Sequence, residues 1–158
     1  MTVLNNEPFY MRYAWILLLL VSILSLWIGI GDFTGAGDAD PALVESAVGI
    51  TWFELQNADP SVVNLINILS RLVGSLWIGF ALLAIIVSAT GFRMGERWAW
   101  YGLWAIPLVM LLIFTTFFFA DLAEGSPNPP ALYSAPGLFA IAVIGLLLPI
   151  RKFFPSNK

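Results

Sequence analysis

Cysteine and histidine are both absent from the 158 residues. Without them there can be no disulfide framework, thiol relay, Cys/His zinc site, His-ligated haem or Ser–His–Asp triad. Charge is scarce as well: 11% of residues are charged, against about 25% in an ordinary soluble domain. The net charge of -3 leaves no basic footprint for nucleic acid. Apolar residues, in contrast, make up 59% of the chain, with a mean hydropathy of +0.87. So small a globule has too little interior to hide them all, which makes lipid the expected solvent.

A bilayer core about 30 Å thick needs roughly 20 helical residues to cross it. Four stretches qualify, at about 11–30, 62–90, 98–120 and 130–150. None shows the alternation of barrel strands, and each is apolar around most of its circumference. The expected fold class is all-α: an integral membrane four-helix bundle, one domain over 1–158. Its loops would be an outer one at 31–61, an inner one at 91–97 and a second outer one at 121–129. The first apolar run exceeds the roughly 7–15 residues of a signal-peptide core and no A-x-A site follows, so it is read as an uncleaved helix. Arg12, Arg93, Arg97, Arg151, Lys152 and Lys158 share one side of this scheme. Asp32, Asp38, Asp40, Glu45, Glu54, Asp59, Asp121 and Glu124 share the other. The positive-inside rule then places both termini in the cytoplasm.

The first outer loop carries three helix-start signals. Asp40-Pro41 reads as a cap followed by proline at the first helical position, opening a short helix over 42–48 that Gly49 ends. Thr51 and Glu54 fit a capping box leading a turn through Gln56. Asp59-Pro60 repeats the cap-plus-proline signal at the start of the second span. Trp52, Phe53 and Leu55 are expected to form one apolar side of these short interfacial helices. The acidic spacing lacks the alternation and final glutamate of a calcium loop, so no metal site is expected.

Arg71 is the one charge inside a span. At 100° per residue, Asn64, Asn67, Arg71, Gly74 and Ser75 fall on one face of the second span, with Trp77 on the other side, toward lipid. An arginine at this depth is costly and faces the interior of a bundle or a water cavity. Asp121 and Glu54 are the carboxylates expected at its level. The residues support two readings: an internal ion pair that holds helix register, or an outward-opening site for a small anionic or amphipathic ligand made by Arg71, Asn64, Asn67, Asp121 and Glu54. Pro107 removes a backbone bond to Leu103 and predicts a kink in the third span, and Pro149 is expected to end the fourth. On the inner loop, Arg93 and Arg97 are placed to hold phospholipid headgroups while Trp98 anchors the next helix.

The order of an outer Gly49-Ile50-Thr51-Trp52-Phe53-Glu54-Leu55 segment, Asp59-Pro60, a span with one arginine, and the inner string from Phe92 to Tyr101 resembles uncharacterised small prokaryotic four-helix membrane proteins, broadly the DoxX-like group. That resemblance implies a membrane redox or accessory-subunit role, and it carries over no catalytic residue. A cysteine-free chain departs from any thiol-based version of it. The leading expectation is a non-enzymatic accessory or lipid-interacting membrane protein without cofactor, its partners the lipid bilayer and another membrane subunit. The alternatives are an outward-facing binding or transport module centred on Arg71, and a membrane enzyme on lipid or quinone using Arg71 with Asp121 or Glu54.

Overall fold

A computed structural model describes residues 9–35, 45, 49–119 and 130–154, with only the backbone given for 9–11, 117–119 and 130–135. The described residues are almost entirely helical and contain no strand. In chain order they form α1 (Phe9–Thr34), α2 (Trp52–Ala58), α3 (Pro60–Val87), a π turn (Ser88–Phe92), α4 (Arg97–Leu103), α5 (Ala105–Phe119), α6 (Pro130–Leu147) and α7 (Ile150–Phe153). Four helical runs are long and apolar enough to cross a membrane: Arg12–Thr34, Pro60–Phe92, Arg97–Thr116 and Pro136–Phe153.

The local signals explain where these elements begin. Thr51 accepts from the Glu54 N–H at 3.2 Å while Glu54 accepts from the Thr51 N–H at 2.9 Å, a complete capping box for α2. Glu45 adds an acceptor for the Trp52 N–H at 2.9 Å, which the spacing did not announce. Asp59 caps α3 by accepting from the N–H groups of Ser61 and Val62, with Pro60 at the first helical position. Gly49 takes a φ of +75°, and its N–H bonds the Glu45 carbonyl at 2.8 Å. The short helix expected over 42–48 lies, apart from Glu45, outside the described residues.

α1 and α3 form the most extensive pair, α6 packs on the other flank of α1, and α5 packs on α6. α3 meets the third span mainly at its inner end, through the π turn and α4. Glycine permits the α1–α3 contact. A Cβ on Gly74 would lie 2.4 Å from the Phe33 nitrogen and 2.8 Å from the Gly29 oxygen, so the two backbones touch there. Ser22 and Ser25, buried on the same helix, return their hydroxyls to the carbonyls of Leu18 and Val21. The main core gathers Leu18, Val21, Ala84, Phe92, Leu103, Ile106, Met110, Leu146 and Phe153.

Proline and the π turn account for the departures from the expected boundaries. The third span breaks at Trp104, whose N–H turns back to Tyr101 at 3.2 Å, just ahead of the bond that Pro107 cannot make. The expected inner loop at 91–97 shrinks to a tight turn. α3 runs on through the π turn to Phe92, and Gly95 then ends it with a φ of +84°. Pro149 does end the helix of the fourth span, in a turn after Leu147, and the short α7 that follows packs on the inner end of the bundle through Phe153.

Candidate functional site

Arg71 sits one turn outward of the Gly74 contact. Its Nη2 lies 3.5 Å from where a Cβ of Gly35 would stand. Gly35 has a φ of +70° and follows directly on the last residue of α1. The guanidinium therefore lies at the C-terminal end of α1, where unpaired carbonyls concentrate partial negative charge. A side chain at position 35 would strain the backbone, while its Cβ would only touch the arginine. Arg71 is exposed, and among the described residues no carboxylate forms an ion pair with it.

The residues expected around Arg71 are only partly gathered. Asn67 is half-buried and Gly74 is buried, whereas Asn64 and Ser75 are exposed. The stripe runs along one flank of the α1 contact instead of lining a shared interior. Ser75 donates to the Leu72 carbonyl at 2.7 Å within its own helix. Glu54 is occupied elsewhere, accepting from both the N–H and the hydroxyl of Thr51. Asp121 lies outside the described residues. Trp77 corrects the sequence reading. Its Cβ would stand 2.9 Å from a Cβ on Gly29, so it packs against α1 and meets Phe80 edge-on instead of facing away. Trp52, Phe53 and Leu55 do not share a side either. Trp52 and Leu55 pack with Val63 and Ile66, while Phe53 points away at 72% exposure, as helical spacing requires of a neighbour one residue on.

Hydrogen bonds hold the two outer acids in their ionised form. The Thr51 N–H and hydroxyl push the Glu54 carboxyl below its ordinary value of 4.5. The Ser61 hydroxyl, with the N–H groups of Val62 and Ser61, does the same for Asp59 below 3.8.

The inner end is more densely connected. Arg97 donates from Nε to the Phe153 carbonyl at 3.0 Å and lies over the Phe154 ring, 5.5 Å from its centroid. Lys152 donates from Nζ to the Arg93 carbonyl at 3.0 Å. Arg93 in turn lies over the Trp15 ring at 5.3 Å. Trp100 reaches the Leu146 carbonyl through Nε1 at 2.9 Å and stands edge-on to Phe154. Phe92 and Phe153 stack with ring centroids 4.8 Å apart. Trp98 is 57% exposed, and a Cβ on Gly91 would approach its ring within 2.6 Å. Arg93, Arg97 and Trp98 are thus each engaged at the inner end by residues outside their own immediate neighbours. The part played by Lys152 and Phe153 was hidden, because nothing local says that residues this far on in sequence meet the inner turn.

Two polar atoms in the core, Ser88 Oγ in the π turn and Trp104 Nε1, are buried without a hydrogen-bond partner. Among the described residues no group of acids is placed to hold a metal ion. Comparison of the chain with protein-family models, curated proteins and solved structures returns no match.

Proposed function

We propose that this chain is an integral protein of the prokaryotic cytoplasmic membrane with both termini cytoplasmic, and that its role is non-enzymatic: an accessory or lipid-interacting protein. The observation that carries the reading is the outer flank of α3. Leu65, Leu69, Leu72, Leu76 and Leu83 are each at least half exposed along a helix that packs mainly on α1. Such a flank has no place in water and suits acyl chains or an apolar helix of another membrane subunit. The division of charge supports the orientation. Arg12, Arg93, Arg97, Arg151 and Lys152 belong to one end of the helices, and Glu45, Glu54 and Asp59 to the other. The non-enzymatic reading rests on what the polar groups do: Glu54 and Asp59 serve as caps and Arg97 as a tether. The DoxX-like resemblance remains part of the proposal on the order of its motifs.

Topology is tested by single cysteines in a chain that has none of its own. Ser61→Cys should react with an impermeant maleimide in intact cells, and Glu96→Cys only after permeabilisation. The reverse pattern overturns the orientation, and recovery in the soluble fraction overturns the membrane reading.

A second reading is favoured by one observation, the exposed Arg71 without a carboxylate partner among the described residues. It makes the outer end of α3 a site for a small anionic ligand, with Asn67 beside it. If Arg71→Ala leaves thermal stability unchanged and abolishes stabilisation by an added anion, this reading displaces the accessory one. If the variant is destabilised and anions have no effect on either protein, the arginine is structural.

A further inference from the structure

We propose that the inner end of the molecule binds the phosphodiester headgroup of an anionic phospholipid, through Arg93, Arg97, Arg151 and Lys152, with Trp98 beside the acyl chain. The proposal rests on the membrane reading above and names the lipid class that this end selects. Arg93 comes from the turn after α3, Arg97 from the start of α4, and Arg151 and Lys152 from α7, far away in sequence. α7 brings three of them together, Lys152 bonded to the Arg93 carbonyl and Arg97 to the Phe153 carbonyl, each at 3.0 Å, and Arg151 is the neighbour of Lys152 on the same short helix. Gly95 makes room for this, since a Cβ there would stand 3.0 Å from Lys152 Cε.

The cluster is organised in advance and still has donors to spare. Arg93 and Arg97 are held over aromatic rings, at 5.3 Å and 5.5 Å from Trp15 and Phe154. Arg97 uses only Nε in its bond to Phe153, which leaves both terminal nitrogens for a phosphate. Lys152 uses one of its three N–H groups. Arg151 is exposed at the end of the molecule. Among the described residues the only carboxylate at this end is Glu96, which is itself exposed. Ordering long cationic side chains is a large part of the cost of binding an anion, and here packing has already ordered two of them.

The surroundings choose an amphipath over a free anion. Met94 at 70%, Trp98 at 57% and Tyr101 at 60% exposure adjoin the cations. A soluble phosphate would leave those surfaces untouched, whereas a phospholipid covers them with its glycerol and upper acyl chain.

The test is thermal unfolding of the purified protein in a neutral detergent, with added phosphatidylglycerol, phosphatidylcholine or inorganic phosphate. Phosphatidylglycerol should raise Tm by about 5 °C, and the other two by much less. Arg151→Gln should weaken the apparent affinity for phosphatidylglycerol about fivefold. Arg93→Gln should act in the same direction, and high salt should reduce the shift for every variant. Arg97→Gln removes a tether as well as a donor, so Arg151→Gln, which disturbs no packing, is the decisive variant. Equal shifts with phosphatidylcholine overturn the proposal, as does a full shift with inorganic phosphate or an unchanged response in the Arg93→Gln/Arg151→Gln double variant. Flotation with pure phosphatidylcholine vesicles separates the two levels. A protein that enters them without preferring phosphatidylglycerol loses only this site, and one that does not enter them loses the membrane reading and the site with it.

Discussion

The two ends of the molecule are joined by different means. At the outer end, backbone meets backbone: Gly74 lies against Gly29, Asp32 and Phe33, and any Cβ there would meet atoms that cannot rotate away. The nearby cation, Arg71, rests against Gly35 with no carboxylate partner among the described residues. At the inner end, side chains do the joining, through Trp100, Phe92, Phe153, Arg97 and Lys152. Each inner cation that touches the fold is tied to a carbonyl or an aromatic ring. A backbone contact is rigid and leaves the polar groups beside it unoccupied. A side-chain network is adaptable but uses its polar groups as struts.

The largest expected effect comes from testing that difference with glycines. Gly74→Ala should destabilise by about 3 kcal/mol, because the new methyl meets backbone on three sides. Gly91→Ala should cost about 2 kcal/mol, since the exposed Trp98 ring can swing aside but the buried Cβ of Ala99, 2.8 Å away, cannot. Gly79→Ala, with open space around it, should be neutral or stabilise slightly. Unfolding in mixed micelles would rank the three. Equal costs at 74 and 91 would break the distinction between the two ends.

The arginines come next. Arg97→Gln should destabilise by about 2 kcal/mol through the lost bond to Phe153 and the lost contact with Phe154. Arg71→Gln should cost at most about 1 kcal/mol, the scale of a charge at a helix terminus. A larger loss at Arg71 than at Arg97 in the same assay would invert the comparison. Ser88→Ala should be neutral or raise stability by about 1 kcal/mol, because it removes a buried hydroxyl that has no partner.

The smallest effect is pH-dependent and confined to the outer end. Folded-state pKa values below the ordinary 4.5 of Glu54 and 3.8 of Asp59 mean that these caps stabilise fully above those values. Their contribution is lost as pH falls through the lowered folded values. Hydrogen exchange measured from pH 5 downward should therefore show α2 and the first turn of α3 opening in acid before α7 does. Simultaneous opening of α2 and α7 would mean that the caps do not govern the outer end.

How much of this was legible depended on how local the cause is. The capping box at Thr51 and Glu54, the cap at Asp59 and the break ahead of Pro107 follow from residues within four positions of one another, and each formed as read. The polar stripe around Arg71 was only half legible. Helical spacing correctly put Asn67 and Gly74 on one face, yet it could not say that α1 would cover that flank and leave Asn64 and Ser75 outside. For Trp77, helical spacing suggested an outward position, and the small Gly29 opposite it let the Trp77 Cβ come up against α1 instead.

Composition and local spacing by themselves determined that the chain is helical, that four helices are long and apolar enough to span a membrane, and where most of them begin. Those properties depend on backbone satisfaction and on caps, both settled within a turn or two. Tertiary structure alone decided which helices touch, that α7 meets Arg93 and Arg97, and that Arg71 rests at the end of α1. The reason is physical. When a helix is apolar around its whole circumference, hydrophobicity no longer marks an inward face, and the fit of small residues against large ones makes the choice.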